Sequence, residues 1–266
     1  MKPEENKFAD VPLRVKTWIY IIIVFALGIS HPLAMTIFIS WISFQAFFEL
    51  SRMLKVVNPV NPAIFIGIAQ FLLLYFFNIE YYFLYSSILG ATVFLYFLIV
   101  RASVQQLYGI LIALLVCLFA FPHLLWIRCS SNGLSSIIFI VVVTELNDVF
   151  QYLMGKFFGK HKIVPKISPN KTREGLIGGI FLTVILSNIL GSFLLKTGIF
   201  TNSIIGIALG ISGFCGDIFM SYLKRKTEVK DTGTLLPGHG GLLDRMDSLI
   251  FNAPLFFWIL SFLIKN

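Results

Sequence analysis

Long apolar runs, broken by short polar punctuation, organise the chain. A bilayer-crossing helix needs about 20 predominantly apolar residues. On that measure there are nine candidate spans, at 17–29, 33–50, 61–77, 81–100, 104–126, 134–153, 175–196, 202–222 and 248–264. The first is short, and its apolar stretch from Trp18 to Ile29 has the length of a signal-peptide core. No small-x-small cleavage site follows it; His31-Pro32 does, and a second apolar run begins at once. A retained helix is the expectation. There is no internal repeat. Residues 1–266 read as a single membrane domain, with N-terminal helices of unassigned role over 1–133. Catalytic helices and two long loops are expected over 134–266.

Composition narrows the class. Apolar residues make up 57% of the chain and charged residues 13%, against ~25% charged in soluble domains. A water-soluble globule is excluded. So is disorder, which goes with few aromatics, because 28 residues are Phe. Cys117, Cys129 and Cys215 show neither pairing nor metal spacing. They read as buried bystanders in apolar runs. The expectation is an all-α polytopic membrane protein.

The net charge of +8 must then crowd into the loops. With nine spans, one side collects Lys2, Lys7, Arg14 and Lys16, then Arg52, Lys55 and Arg101. It also takes Lys156, Lys160, Lys162, Lys166, Lys171 and Arg173, and Lys224, Arg225, Lys226, Lys230 and Arg245. The other side has only Arg128, Lys196 and Lys265. By the positive-inside rule the N-terminus is cytoplasmic. No basic helix or aromatic–basic platform lies outside the spans, so no nucleic-acid partner is expected. Two cytoplasmic loops are long, about 154–174 and 223–247, and long ordered loops carry function.

Ionisable residues inside spans are costly and functional by default. In the first half, Glu49 and Arg52 stand three apart and are expected to pair at the interface; Gln45 and Gln70 suit helix–helix hydrogen bonds. The second half is richer. Glu145 and Asp148 share a helical face. Asp217 precedes Ser221 by one turn, and Asp244 and Asp247 stand three apart at a helix start. Helix capping accounts for Asp244 and Asp247 taken alone. But Asp148, Asp217, Asp244 and Asp247 all fall at one cytoplasmic level. Grouped carboxylates are hard oxygen ligands suited to Mg²⁺ bound together with substrate phosphates. No His/Cys set with zinc spacing competes.

The loops supply the anion-binding side. Ser168, Lys171 and Thr172 gather at the start of the seventh span, where a helix N-terminus attracts anions. Gly175, Gly178 and Gly179 suggest close packing there. The second loop places Gly238, Gly240 and Gly241 around His239, leaving backbone N–H groups free to approach phosphate oxygens. Lys224, Arg225, Lys226, Lys230 and Arg245 surround that turn in sequence.

The stretch SYLKRKTEVKDTGTLLPGHGGLLDRMDS, residues 221–248, closely resembles the phosphatidate cytidylyltransferases, or CDP-diacylglycerol synthases. Their pattern is Ser-x-x-Lys-Arg, four residues, Lys-Asp-x-Gly, then Pro-x-His-Gly-Gly and Asp-Arg-x-Asp, and every position is filled. Asp148, Gly155-Lys156, Phe158-Gly159 and Ser168-Pro169-x-Lys171-Thr172-x-Glu174-Gly175 are similar to the family as well. The resemblance covers about 145–250. Arg173 stands where the family usually has Trp, and Gln151 where Ala is commoner.

The resemblance implies a nucleotidyltransferase of phospholipid biosynthesis in a bacterial cytoplasmic membrane. It would convert CTP and phosphatidic acid to CDP-diacylglycerol and pyrophosphate. Partners would be CTP, phosphatidic acid and the bilayer, with a homodimer allowed by the resemblance alone. The expected roles follow. Asp217, Asp244 and Asp247 hold Mg²⁺, with a second cation left open, and Asp148 serves the metal or the cytidine. Lys224, Arg225, Lys230 and Arg245 neutralise phosphates, Ser168, Lys171 and Thr172 form a second anchor, and Ser221 lines the site. His239, Gly240 and Gly241 shape the triphosphate turn, and Asp231 is a ligand or, by preference, a partner of Lys230. A cavity open sideways to lipid is expected at the cytoplasmic interface. The competing readings are the same chemistry on an archaeal-type ether lipid, and a non-catalytic lipid or ion transporter.

Overall fold

A computed structural model describes residues 11–56 and 58–263. Lys2, Lys7, Lys265 and the end of the ninth expected span lie outside them. Four helices make the first half: α1 (Val11–Ser30), α2 (Pro32–Met53), α3 (Val60–Phe76) and α4 (Ile79–Ile99). The fifth expected span is α5 (Val104–Leu115), a π-helical turn over Val116–Ala120, and α6 (Pro122–Cys129). Then come α7 (Gly133–Phe158), strands β1 (Lys162–Val164) and β2 (Ser168–Thr172), α8 (Arg173–Leu194), α9 (Ile199–Lys226) and α10 (Leu243–Leu263). Among the described residues, six helical stretches are long and apolar enough to cross a membrane: α2, α4, the Val104–Cys129 stretch, α7, α8 and α9. The described residues form a predominantly helical polytopic membrane protein with one small hairpin.

Local chemistry sets the breaks. His31 caps α2 through its ring nitrogen, Asn78 caps α4, and Ser103 with Gln106 forms a capping box on α5. The π-turn follows from Pro122, which lacks the N–H that would bond Leu118 O. Tyr82 Oη donates to that carbonyl instead, at 2.8 Å. Gln70 Nε2 donates to Cys117 O, the interhelical role expected of it, and its Oε1 lies 2.9 Å from Tyr82 Oη, where it competes with Leu118 O for the one phenolic proton. Of the cysteines only Cys117 is buried. Cys129 and Cys215 are exposed, because the apolar runs holding them turn one face outward.

In the second half, helices approach closely through small residues. Gly178 of α8 faces Met154 and Gly179 faces Gln151, both on α7. Gly206, Gly210, Gly213 and Gly216 of α9 meet α8, α7 and α10. Gln151 is buried and bridges two helices, donating within 3.1 Å of Asn147 Oδ1 and 3.2 Å of Gly210 O. That gives this uncommon side chain a packing role. Arg173 is exposed.

The two ends of the bundle differ. At one end, Thr17 Oγ1 of α1 donates to Pro237 O, Glu49 of α2 meets the 227–242 loop, and Arg225 reaches Ile167 O in the turn of the hairpin. At the other end of α1, Arg128 donates to Ile29 O and Ser30 O.

Candidate functional site

The helices that carry the site are longer than the apolar pattern suggested. α9 continues past Tyr222 to Lys226, because Lys224, Arg225 and Lys226 form a basic last turn that complements the helix dipole. α10 begins at Leu243 and so includes both Asp244 and Asp247. The second loop therefore shrinks to 227–242.

The first loop folds into a hairpin, pairing Lys162 with Thr172 and Val164 with Ser168. Glu174 pins it to α8. Its carboxylate accepts from the N–H groups of Lys160 and His161 and lies 2.6 Å from His161 Nδ1. Thr172 spends its hydroxyl on capping α8, accepting from Gly175 N at 3.1 Å. Ser168 stands at the far end of the hairpin, in β2. Of the expected second anchor, Lys171 is the member the structure carries to the acids. It forms an ion pair with Asp217 of α9 and lies over the Phe214 ring.

Three carboxylates converge where α7, α9 and α10 meet. Asp148, Asp217 and Asp247 are close enough to repel one another, and Lys171 and Lys224 offset that repulsion. Ser221 Oγ donates to Asp217 Oδ1 at 3.3 Å, as their shared face requires. Ser248 Oγ lies 2.8 Å from Asp148 Oδ2 and 3.2 Å from Gly213 O. Asp247 accepts from Ser248 N. Asp148 Oδ1 is buried and, among the described residues, meets no hydrogen-bond partner of ordinary geometry, which is costly for a carboxylate oxygen.

Gly216 makes the convergence fit. A Cβ there would sit 2.5 Å from Asp247 O and 3.1 Å from Ser248 Cα. Gly216→Ala should push α10 away from α9, cost about 2 kcal/mol and lower turnover on the order of tenfold. The thermal midpoint of the purified protein and its turnover rate check this.

Asp244 is held by other partners than those three. Oδ1 takes Lys224 Nζ at 2.7 Å. Oδ2 accepts from Thr232 N at 2.8 Å and Gly241 N at 2.9 Å, and lies 3.0 Å from Thr232 Oγ1. Both oxygens are thus engaged by the loop and by α9. Among the described residues no group of three or more His, Cys, Asp or Glu side chains is arranged as a ready metal cage. Mg²⁺ does not require one. It commonly takes one or two carboxylates, with waters and substrate phosphates completing its shell. The unpartnered Asp148 oxygen beside two further carboxylates fits that kind of donor set.

The glycine turn folds back on itself. Leu236 N donates to Gly240 O, and His239 N to Leu236 O. Gly240 has φ +87°, and a Cβ would meet Asp244 Oδ2 at 2.6 Å, so glycine is required there. His239 packs edge-on against Trp18 of α1, with ring centres 6.0 Å apart. Arg245 donates to His239 O and acts electrostatically on Glu145 of α7. Lys230 and Asp231 are both exposed and form no ion pair with each other among the described residues. Arg225 is exposed and turned toward the hairpin.

The spacing of residues in sequence missed Glu49. It is not paired with exposed Arg52; it is 1% exposed and points into the second loop. Its carboxylate accepts from Gln45 Nε2, Leu242 N and Leu243 N, and lies 2.8 Å from Thr232 Oγ1. A nearby Arg made an interfacial pair the economical expectation. The contact that replaced it spans 183 positions, which no local pattern shows.

A cavity of about 550 Å³ opens between α1, α2, α7, α10 and the loop. Trp18, Phe38, Ile137, Val141 and Leu249 give it apolar walls, and Lys16, Glu145 and Arg245 lie on its lining.

Comparison with known proteins identifies the family. The sequence model of the cytidylyltransferase family matches residues 13–263. An uncharacterised Escherichia coli K12 protein, YnbB, is 40% identical, with the match covering 97% of this chain and 90% of YnbB. The phosphatidate cytidylyltransferase of Staphylococcus epidermidis is 43% identical over 47% of this chain and 48% of its own length. That of Rickettsia bellii is 40% identical over 52% of this chain and 64% of its own length. The chain thus spans only about half to two-thirds of these two named enzymes. The family match runs almost from end to end, through the N-terminal helices as well as the motif-bearing half, and the chain belongs to the cytidylyltransferase family.

Proposed function

We propose that the protein transfers the cytidylyl group of CTP to phosphatidic acid, forming CDP-diacylglycerol and releasing pyrophosphate. The observation that carries the proposal is the meeting of Asp148, Asp217 and Asp247 with Lys171 and Lys224 at one end of the bundle, beside a glycine-rich turn. An oxygen of the lipid phosphate, already ionised near neutral pH, attacks the α-phosphorus of CTP. The bond from that phosphorus to the bridging oxygen of pyrophosphate breaks, and the electron pair leaves with pyrophosphate. No protein nucleophile is needed. Such transfers rely on positioning and charge neutralisation.

Asp217 and Asp247, with Asp148 beside them, would hold Mg²⁺. Asp244 would join them only by releasing Lys224. When bound, the metal supplies charge neutralisation on the triphosphate. Lys171 and Lys224, freed from Asp217 and Asp244 by substrate, meet phosphate oxygens. Arg245 fixes the turn through His239 O, and Gly240 and Gly241 bring backbone close to the triphosphate. Lys230 and Arg225, both exposed, attract the nucleotide from solution.

The cavity beside Arg245 has the apolar walls that lipid tails require. The contrast between the two ends of the bundle supports nine crossings, with a cytoplasmic N-terminus and the site facing the cytoplasm. A bacterial cytoplasmic membrane is the setting. The bonds from Glu49 to the second loop support treating both halves as one domain.

CTP labelled at the α-phosphorus tests the reaction. With phosphatidic acid the label should pass to the organic phase, and with γ-label it should stay aqueous. An ether-linked lipid phosphate competing with equal efficiency would move the proposal to that substrate. Tight lipid binding without any label transfer would favour a transporter.

A further inference from the structure

We propose that Glu49, on α2 and outside the motif-bearing half, is a positioning residue that holds the glycine turn and the start of α10 in the geometry needed for the triphosphate. The inference rests on the cytidylyltransferase reading of the site and adds to it a task for the N-terminal helices.

Four groups converge on this one carboxylate. Leu242 N approaches Oε1 at 2.8 Å and Leu243 N approaches Oε2 at 3.1 Å. These are N–H groups at the start of α10, which have no partners within the helix. Gln45 Nε2 donates to Oε1 from one turn earlier on α2. Thr232 Oγ1 lies between two acids, 2.8 Å from Glu49 Oε2 and 3.0 Å from Asp244 Oδ2. Its single proton serves one acid at a time, so the hydroxyl links them. Asp244 in turn holds Lys224 and Gly241 N. The chain of contacts therefore runs from α2 through Thr232 and Asp244 to α9.

The loop is shaped around the carboxylate. A Cβ on Gly241 would fall 2.5 Å from Glu49 Oε2, and one on Gly233 would fall 3.1 Å from Oε1. A buried charge at a helix start is favourable, since the positive end of the dipole and the free N–H groups face it. A neutral amide at the same place would offer one acceptor oxygen and set an NH₂ group against a backbone donor. The helix start and the turn before it would then lose their fixed register.

The test uses the full-length protein with Glu49→Gln, Glu49→Asp, Thr232→Val, Thr232→Ser and the Glu49→Gln/Thr232→Val double variant. Glu49→Gln should lower kcat/KM for CTP about 30-fold, the scale of losing charge-assisted hydrogen bonds. KM for the lipid phosphate should stay within about twofold of wild type. Glu49→Asp and Thr232→Ser should recover part of the loss. The double variant should fall no further than Glu49→Gln, because the two residues act as one unit.

Amide hydrogen exchange at Leu242 and Leu243 should speed up about tenfold in Glu49→Gln. That arm needs no turnover. If the wild type fails to transfer cytidylyl, the functional reading fails while the brace is still judged by exchange. If Glu49→Gln does not fold, Thr232→Val must show the same CTP-selective loss. Unchanged CTP kinetics, unchanged exchange, or equal losses for both substrates with a lowered thermal midpoint would overturn the proposal.

Discussion

Asp247→Ala should abolish turnover while the protein still inserts and purifies as folded material. The expected loss is on the order of 10³-fold or more, the scale for removing a group that stabilises developing charge. Asp247 shares its site with Asp217 and Asp148, and the three repel one another. Removing one should relieve that repulsion. The thermal midpoint of Asp247→Ala should therefore match or exceed that of the wild type, the usual trade between stability and activity at a functional site. Turnover and melting of the same preparation check both halves. Full activity would remove Asp247 from the metal site. Inactivity with a markedly lower midpoint would make it a structural residue.

Lys224→Met should act through the fold. The Lys224 and Asp244 side chains are only 14% and 6% exposed, and their ion pair measures 2.7 Å. Taking away one partner leaves a buried charge without its counter-ion, which costs about 3–5 kcal/mol. Thr232 and Gly241 still donate to Asp244, so the lower part of that range is expected. The thermal midpoint should fall and the loop should become open to proteolysis. Lys224→Arg should retain most of the stability. A midpoint for Lys224→Met equal to that of the wild type would show that water already reaches the Asp244 carboxylate.

Most of the architecture was legible in the sequence because membrane helices write their length in apolar residues. The expected spans match α2 to α4 and α8 to within a few residues, and the fifth span is interrupted where Pro122 removes a donor. The helix ends were less visible. α7 runs on to Phe158 and α9 to Lys226, because polar residues outside an apolar run still form helix once a helix is under way.

At the site, the face shared by Asp217 and Ser221 followed from helical spacing, and the structure shows their hydrogen bond. Lys171 reaches Asp217 from the hairpin, a contact that the spacing of residues did not show. Thr172 turned out to be committed to α8 as its cap. The assignment of Glu49 to Arg52 failed for a physical reason. Both residues end α2, but α2 packs where the second loop arrives, and two free N–H groups at the start of α10 take the acid. Local sequence cannot show a partner brought in by tertiary packing.

The measurement that tests the account most directly is pyrophosphate release by the purified protein in mixed detergent–lipid micelles. CTP is present throughout, with phosphatidic acid and Mg²⁺ each added and omitted. The account predicts release only when lipid and metal are both present, and loss of release on chelation that Mg²⁺ restores. Folded protein that releases no pyrophosphate with any lipid phosphate, with Mg²⁺ or Mn²⁺, would contradict it.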